Sequence, residues 1–514
     1  MSKKEVRKAI KALKNNKAAG IDLIFAELLK YGGEEIVNRL TYMFNLIWEQ
    51  EIVPDNWTKG VVVKLPKKGN LANCNNWRGI TLLSVPGKAF CSILIQRLQN
   101  ELDTTLREEQ AGFRPKRSCC DQIFTLRNII EQAREYNFPL ALNFIDFKKA
   151  FDSIHRESLW AIARAYGIPP KYINIFKALY NNSRCCIKTQ SGNTVFFCII
   201  TGVRQGCILS SLLFLLVVDF VLQQSMNETH FGIPWKDKNL TDLDFADDIA
   251  MTSTSLQHLQ EMTTKLQEAA AKVGLRISST KTKIMHALQQ NIQKIQIDDD
   301  ELEEVEVKLK EVKHFKYLGS YISMDGTNEE DIKNRTGNAT STFQRMQKVW
   351  NSKSINLDLK FKLYNTTVLP IALYASETWK TNKKDFKKLN SFHLRCIRKI
   401  LGITYKDRVT SERVLEKSKQ PKLENIINKR RLRYAGHVLR YHSNRHPKNA
   451  MNWIPPQAKR SRGRPRHTWR RSFKEDLRML GINEEKAEEN AADRDKWREM
   501  VDQFIKHDDG GTKV

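Results

Sequence analysis

No cysteine in this sequence stands in a C-x-x-C pair, and the nine cysteines are odd in number, with two adjacent pairs at Cys119–Cys120 and Cys185–Cys186. Neither a disulfide framework nor a zinc site is signalled. A reducing interior, nucleus or cytoplasm, is therefore expected rather than secretion. Long apolar runs are missing too. The longest, Cys207 to Leu222, is interrupted by Ser210, Ser211 and Asp219 and falls short of a bilayer span of ~20 residues. It reads as a buried helix. Met1 to Lys17 lacks the apolar centre of a signal peptide. There is no internal repeat and no long low-complexity tract, which excludes solenoids. Acidic residues are in short supply, 58 against 86 Lys and Arg, for a net charge of +28. Such an excess implies a polyanionic partner. With no membrane signal, nucleic acid is the candidate. The plainer alternative is a well-solvated basic enzyme.

What is present suits a globular protein of two to four domains: 514 residues, 41% of them hydrophobic and 9% aromatic. Residues 1–50 read as charged amphipathic helices with a turn at Ala18-Ala19-Gly20. Val61-Val62-Val63 reads as a strand running into a basic turn. Helical spacing recurs over Ser84–Leu106, Asp121–Tyr136 and Ala150–Tyr166. Leu140–Phe147 is a β-type run, and Thr241–Met251 predicts a hairpin around Asp247-Asp248. Beyond about Asp325 the pattern is almost wholly helical. Between Pro421 and Lys474 stand sixteen Lys and Arg and one acid, Glu424, a local charge of +15.

Phosphodiester synthesis needs two divalent metals about 4 Å apart, one activating the attacking hydroxyl and one gripping the leaving pyrophosphate. Magnesium takes hard oxygen ligands, and aspartate is the short, stiff way to supply them. One Asp ending a strand and two on an adjacent hairpin can build such a site. Asp146, in Asn143-Phe144-Ile145-Asp146-Phe147, fits the first need; Asp247 and Asp248, in Phe245-Ala246-Asp247-Asp248-Ile249, fit the second. Taken singly, an Asp pair between apolar runs is a turn, and an Asp closing a strand is a helix cap.

The neighbouring residues change that balance. In chain order stand FIDFKKAFD (Phe144–Asp152), VRQG (Val203–Gly206) and FADD (Phe245–Asp248). With them come KAAGID (Lys17–Asp22), LPKKG (Leu65–Gly69), WRGITLLS (Trp77–Ser84), QAGFRPKRS (Gln110–Ser118), FKYLGS (Phe315–Ser320), YASETW (Tyr374–Trp379) and KRSRGRPR (Lys459–Arg466). Singly each is weak; in this order they closely resemble the reverse transcriptases of non-LTR retrotransposons, LINE-type elements of the RTE-like group, over nearly the whole chain.

The resemblance implies RNA-directed DNA polymerisation by nucleotidyl transfer, with two Mg2+ ions, or Mn2+ in their stead. Asp146 and Asp247 would be the shared metal ligands, with Asp248 completing the acidic cluster. Phe151 falls where the family keeps an aromatic that blocks a nucleotide's 2′ hydroxyl; otherwise it is a core Phe on an amphipathic helix. Gln205 and Gly206 would pack against the incoming nucleotide and the template backbone, Gly206 permitting close approach. Arg78 and Lys67 are the expected triphosphate contacts, or else a solvated surface pair. Lys281 falls where the family has a Lys associated with protonating pyrophosphate. RNA template, DNA primer or target, and deoxynucleoside triphosphates are the implied partners. Departures are Ala19 and Ser211 where Pro is usual, Ser278 for Asn and Phe245 for Tyr. Relatives carry an endonuclease ahead of the polymerase, and this sequence opens at the polymerase's own first motif, so it is not expected to nick DNA.

The expected fold is α+β, a polymerase right hand. A helical extension (1–50) should precede fingers and palm (51–322), a helical thumb (323–420) and a basic, mainly helical nucleic-acid-binding region (421–514). The palm should be an antiparallel sheet backed by helices, with the aspartates at one edge. Removing the segment after Gln420 is expected to spare the aspartate cluster. Trp453 and Trp469 among the arginines could stack on bases or pack in a core. His437, His442 and His446 have no Cys near them and make a poor metal set. KRSRGRPR also has the composition of a nuclear localisation signal. Two alternatives stay open: a catalytically inactive remnant that binds RNA or DNA, and an RNA-templated RNA polymerase, against which the motif order and Phe151 speak.

Overall fold

The computed structural model describes residues 1–67, 69–286, 295–299, 304–460 and 462–508. At its centre is a five-stranded sheet in the order Lys310–Glu311, Lys283–His286, Ala141–Ile145, Asp248–Ser253, Asp242–Phe245. Its pairings are antiparallel except between Lys283–His286 and Lys310–Glu311. Side chains of a strand alternate between faces, and here each face has its own core. Ala141 and Ile145, with Ile249 and Met251, face a first core built with the helices Val85–Thr105, Arg156–Ala165, Ile208–Ser225 and Leu256–Ala271. Leu142, Phe144 and Ala250 face a second core around the helix Cys119–Glu135. The sheet is thus covered by helices on both sides.

The expected hairpin is Asp242–Phe245 paired with Asp248–Ser253. The expected helix over Ala150–Tyr166 is instead two pieces, Ala150–Ser153 and Arg156–Ala165. They part because the Ile154 carbonyl accepts from Gly202 N and His155 N donates to the Val273 carbonyl, so these groups are taken from the helical ladder. Ile208–Ser225 is long and apolar enough to cross a membrane by length and composition, but 67% of it is buried inside the protein. It is a core helix, as its sequence suggested.

A second, smaller sheet carries the basic turn. Lys59–Pro66 pairs antiparallel with Trp77–Leu82 and parallel with Arg184–Thr189. The Ser84 hydroxyl caps the helix that follows by accepting from Gly87 N, with Pro86 in its first turn. A third core, including Tyr364, Trp379, Phe392, Ile397 and Ile427, holds the helices between Glu329 and Leu439 together.

The helix Cys119–Glu135 joins these parts. It opens on a capping box between Ser118 and Asp121, and fourteen of its seventeen residues are buried, so it lies between partners on every side. Arg127 donates to Asp331 at 2.8 Å and to the Tyr321 carbonyl at 3.1 Å. Asp121 accepts from the hydroxyls of Tyr434 at 2.9 Å and Tyr441 at 3.1 Å. Glu131 accepts from Trp469 N at 2.7 Å, and Glu135 from Arg466 N at 2.9 Å. The position 420/421 is consequently not a boundary in packing. Leu432, Trp453, Trp469, Phe473 and Trp497 belong to the same core as Phe124, Leu142 and Phe144 of the central domain.

Candidate active site

Strand register brings the carboxylates together. Ile145 pairs with Ile249 on the neighbouring strand, so the next residues outward are Asp146 and Asp248, and Asp247 sits in the tight turn beside them. The three lie at one end of two inner strands, not along an edge strand. Asp146 is anchored locally: its N donates to the Thr282 hydroxyl at 3.3 Å and its carbonyl accepts from Ser278 N at 2.8 Å. The turn is two residues long, and Ala246 within it has φ +60°, the left-handed region that costs a side-chain-bearing residue about 1–3 kcal/mol.

The electrostatics are those of crowded like charges. Asp248 is pushed up to about 6, by burial first and then by Asp247 and Asp146. Its carboxyl reaches solvent, yet protein atoms crowd it enough for desolvation to lead. Burial also raises Asp247, and Asp146 adds to the rise, while Arg78 and Lys281 draw it down. The Lys281 ammonium stands 2.9 Å from Asp146 Oδ1. Two of the sequence-derived cations therefore face the aspartates.

A second group lies alongside. Thr81 N donates to the Gln205 carbonyl at 2.7 Å, tying the Gln205-Gly206 segment to the strand that carries Arg78. Gly206 has φ +112°, and a Cβ there would meet the Thr81 carbonyl oxygen at 2.5 Å. Only glycine satisfies both conditions. The Gln205 side chain bonds to Asp152, whose carboxyl burial raises and which Lys149, Gln205 and Lys67 pull back. Lys67 also reaches the Asn75 carbonyl at 3.2 Å. Phe151, next to Asp152, is half-buried and lies flat on Phe214, ring centroids 4.3 Å apart and planes 9° apart. All nine residues singled out in the sequence thus fall into these two adjoining groups.

Other candidates lie elsewhere. Trp469 is fully buried between Phe124 and Phe473, and Trp453 packs on Trp235, so the core reading holds for both. His446 is buried beside Trp235 and 3.7 Å from Glu109. The sequence assigns no task to the members of QAGFRPKRS. In the structure Gln110 is fully buried against the aspartate turn.

Among the described residues no three His, Cys, Asp or Glu side chains converge closely enough to cage an ion by themselves. Magnesium needs no such cage, since it keeps waters and takes oxygens from substrate phosphates alongside one or two carboxylates. The donor set fits a divalent cation on two counts. It offers hard oxygens only, and the repulsion from Asp247 and Asp146, which adds to burial in raising Asp248, is one a dication would relieve.

A palm-like sheet with carboxylates at the end of its inner strands, reached by basic residues from a second sheet, is the arrangement expected of a polymerase palm. The reverse transcriptase (RNA-dependent DNA polymerase) family matches residues 65–322, half of the chain, and the chain belongs to that family. It is 26% identical over 322 residues to the transposon TX1 uncharacterized 149 kDa protein of Xenopus laevis, covering 62% of this chain and 24% of that protein. To the probable RNA-directed DNA polymerase from transposon BS of Drosophila melanogaster it is 25% identical, covering 85% of this chain and 48% of that protein. A third relative, the probable RNA-directed DNA polymerase from transposon X-element of the same fly, is 24% identical over 91% of this chain and 51% of its own length. The chain thus spans between a quarter and a half of these relatives. Among solved structures, telomerase from Candida tropicalis with a fragment of telomeric RNA aligns at 13% identity and TM-score 0.38, covering 81% of this chain and 68% of that one.

Proposed function

We propose that this chain synthesises DNA on an RNA template, extending a DNA primer with deoxynucleoside triphosphates. The observation that carries the reading is the register that sets Asp146 opposite Asp248 with Asp247 in the adjoining turn. Asp146 and Asp247, with Asp248 beside them, would hold two Mg2+ ions, or Mn2+. When bound, such ions lower the pKa of the attacking 3′ hydroxyl and neutralise charge on the leaving pyrophosphate.

The chain's own residues do the rest. Arg78 binds triphosphate oxygens through its guanidinium fork, and its pull on Asp247 supports a position within reach of the same phosphates. Lys67, which acts on Asp152, adds a point charge beside the Gln205 segment. Gly206 lets backbone approach closely, and Gln205 orients the segment through Asp152. Phe151, stiffened by Phe214, excludes a 2′ hydroxyl. Lys281 hands a proton to the leaving pyrophosphate; an exposed ammonium 2.9 Å from Asp146 supports that role. The carboxylates are intact, and nothing in the fold favours the inactive alternative.

The test is extension of a DNA primer on an RNA template by the purified chain with deoxynucleotides and Mg2+. Asp146→Asn or Asp247→Asn keeps side-chain shape and removes charge, so extension should fall at least ~10³-fold. Near-normal extension by Asp247→Asn would overturn the assignment.

A further inference from the structure

The aspartate turn is not self-supporting. Ala246, the residue before Asp247, sits at φ +60°, where a residue with a Cβ settles only if its surroundings hold it there. Gln110 supplies that hold. Its Oε1 accepts from Ala246 N at 2.8 Å, and its Nε2 donates to the Ala246 carbonyl at 3.3 Å. One primary amide thereby satisfies both backbone groups of the residue, as a neighbouring strand would. The same Oε1 also accepts from Gly112 N at 2.8 Å, which fixes the amide's own orientation.

The approach is close on the other side as well. A Cβ at Gly112 would lie 2.2 Å from Ala246 N, so Gly112 is what lets its segment lie against the turn. One residue back, Ala111 N donates to the Asp244 carbonyl at 2.9 Å, and Gln122 Nε2 reaches that carbonyl at 2.7 Å. Gln110 is fully buried and out of reach of solvent. A side chain with no access to substrate that spends its bonding capacity on the residue next to Asp247 is built to aim that carboxylate.

We propose that Gln110 is a positioning residue for the metal-binding turn, setting through Ala246 the direction in which Asp247 and Asp248 present their oxygens. This rests on the proposed polymerase reading. Supports one step removed from a metal ligand typically change metal affinity or activity about 10- to 100-fold when lost, and a ~1 Å displacement of reacting groups costs about as much.

The experiment uses the full chain with Gln110→Met, nearly equal in volume and without the three hydrogen bonds. Four quantities are read: the thermal melt, Mn2+ affinity by calorimetry, the half-saturating Mg2+ concentration for primer extension, and KM for primer–template. The expected result is a folded protein whose Mn2+ affinity falls and whose Mg2+ requirement rises by about 10-fold or more, with KM for primer–template unchanged. A folded variant with wild-type Mn2+ affinity and Mg2+ requirement would overturn the proposal, as would a loss confined to primer–template binding. If the Met variant does not fold, Gln110→Asn takes its place: it stays polar but is one methylene too short to reach Ala246, and the same shift is expected of it. Asp247→Asn run in parallel keeps the two readings apart. If it extends primers normally, the polymerase assignment fails; if it is inactive while Gln110→Met behaves as wild type, only the positioning role fails.

Discussion

The basic segment Lys459–Arg466 can be tested for nucleic-acid binding without touching the fold. Most of the sixteen cations between Pro421 and Lys474 are already engaged inside the protein. Arg431 is buried against Asp476, Arg440 bonds to the Ala491 carbonyl, Arg445 faces Glu108, and Arg470 holds the Trp453 carbonyl. Lys459, Arg462, Arg464 and Arg466 instead have exposed side chains. Replacing these four by Gln removes four phosphate contacts at most. With a slope of about 0.7 per contact on single strands, log affinity against log salt should flatten by about 3 units. Between 50 and 200 mM salt, the intact protein should therefore lose about 50-fold more affinity for RNA than the variant. Fluorescence anisotropy of a labelled single-stranded RNA across a salt series measures this directly. An unchanged slope in a folded variant would refute the reasoning and leave the segment a solvated surface or an import signal. Truncation after Gln420, the perturbation the sequence invites, is ruled out by the second core. It would strip Leu432, Trp453, Trp469, Phe473 and Trp497 from contact with the central domain. Five such side chains at about 1.5–3 kcal/mol each amount to roughly 10 kcal/mol, which is the whole stability of a typical domain. The truncated chain is expected not to fold, and a cooperative melt near that of the intact protein would show otherwise.

Phe151→Ala should raise ribonucleotide use roughly 30- to 1,000-fold relative to deoxynucleotides, from about 2–4 kcal/mol of lost exclusion; parallel loss of both substrates with a lowered melt would leave Phe151 only a packing partner of Phe214. Gly206→Ala, at φ +112° and against the Thr81 carbonyl, should cost about 3 kcal/mol in a urea melt, and a cost under ~0.5 kcal/mol would contradict the close approach. His393 is buried with its Nδ1 on the Tyr364 hydroxyl and its Nε2 facing the Pro421 carbonyl, and burial takes it from 6.5 down to about 4. Because the unfolded chain binds that proton first, the stability this histidine contributes should decline as pH falls below 6.5, by about 2 kcal/mol at pH 5. His393→Gln should flatten that part of the urea-melt pH profile.

Local signals carried the aspartate site into view. The short apolar run Leu140–Phe147 reports a strand, and two short apolar runs around Asp247-Asp248 report a hairpin; both are decided by residues within a few positions of one another. Period-2 patterning also fixes which side chains of Ala141–Ile145 share a face. Glycine at 206 was legible for the same reason, since its φ is a property of one residue. Patterning says that a face is buried, but not against what. Gln110 meets Ala246 from 136 positions away, and Trp469 meets Glu131 from 338. No periodicity connects such pairs. For the same reason the composition shift at Pro421 looked like a domain boundary: charge counts record that many arginines are present, not that Arg431 and Arg470 point inward. Tertiary structure alone decided that the helix Cys119–Glu135 is enclosed on every side, that the basic region closes its core, and that a buried amide holds the turn beneath the carboxylates. These depend on which surfaces bury the most apolar area and satisfy the most backbone groups once the whole chain has collapsed, a global choice made among segments that are remote in sequence.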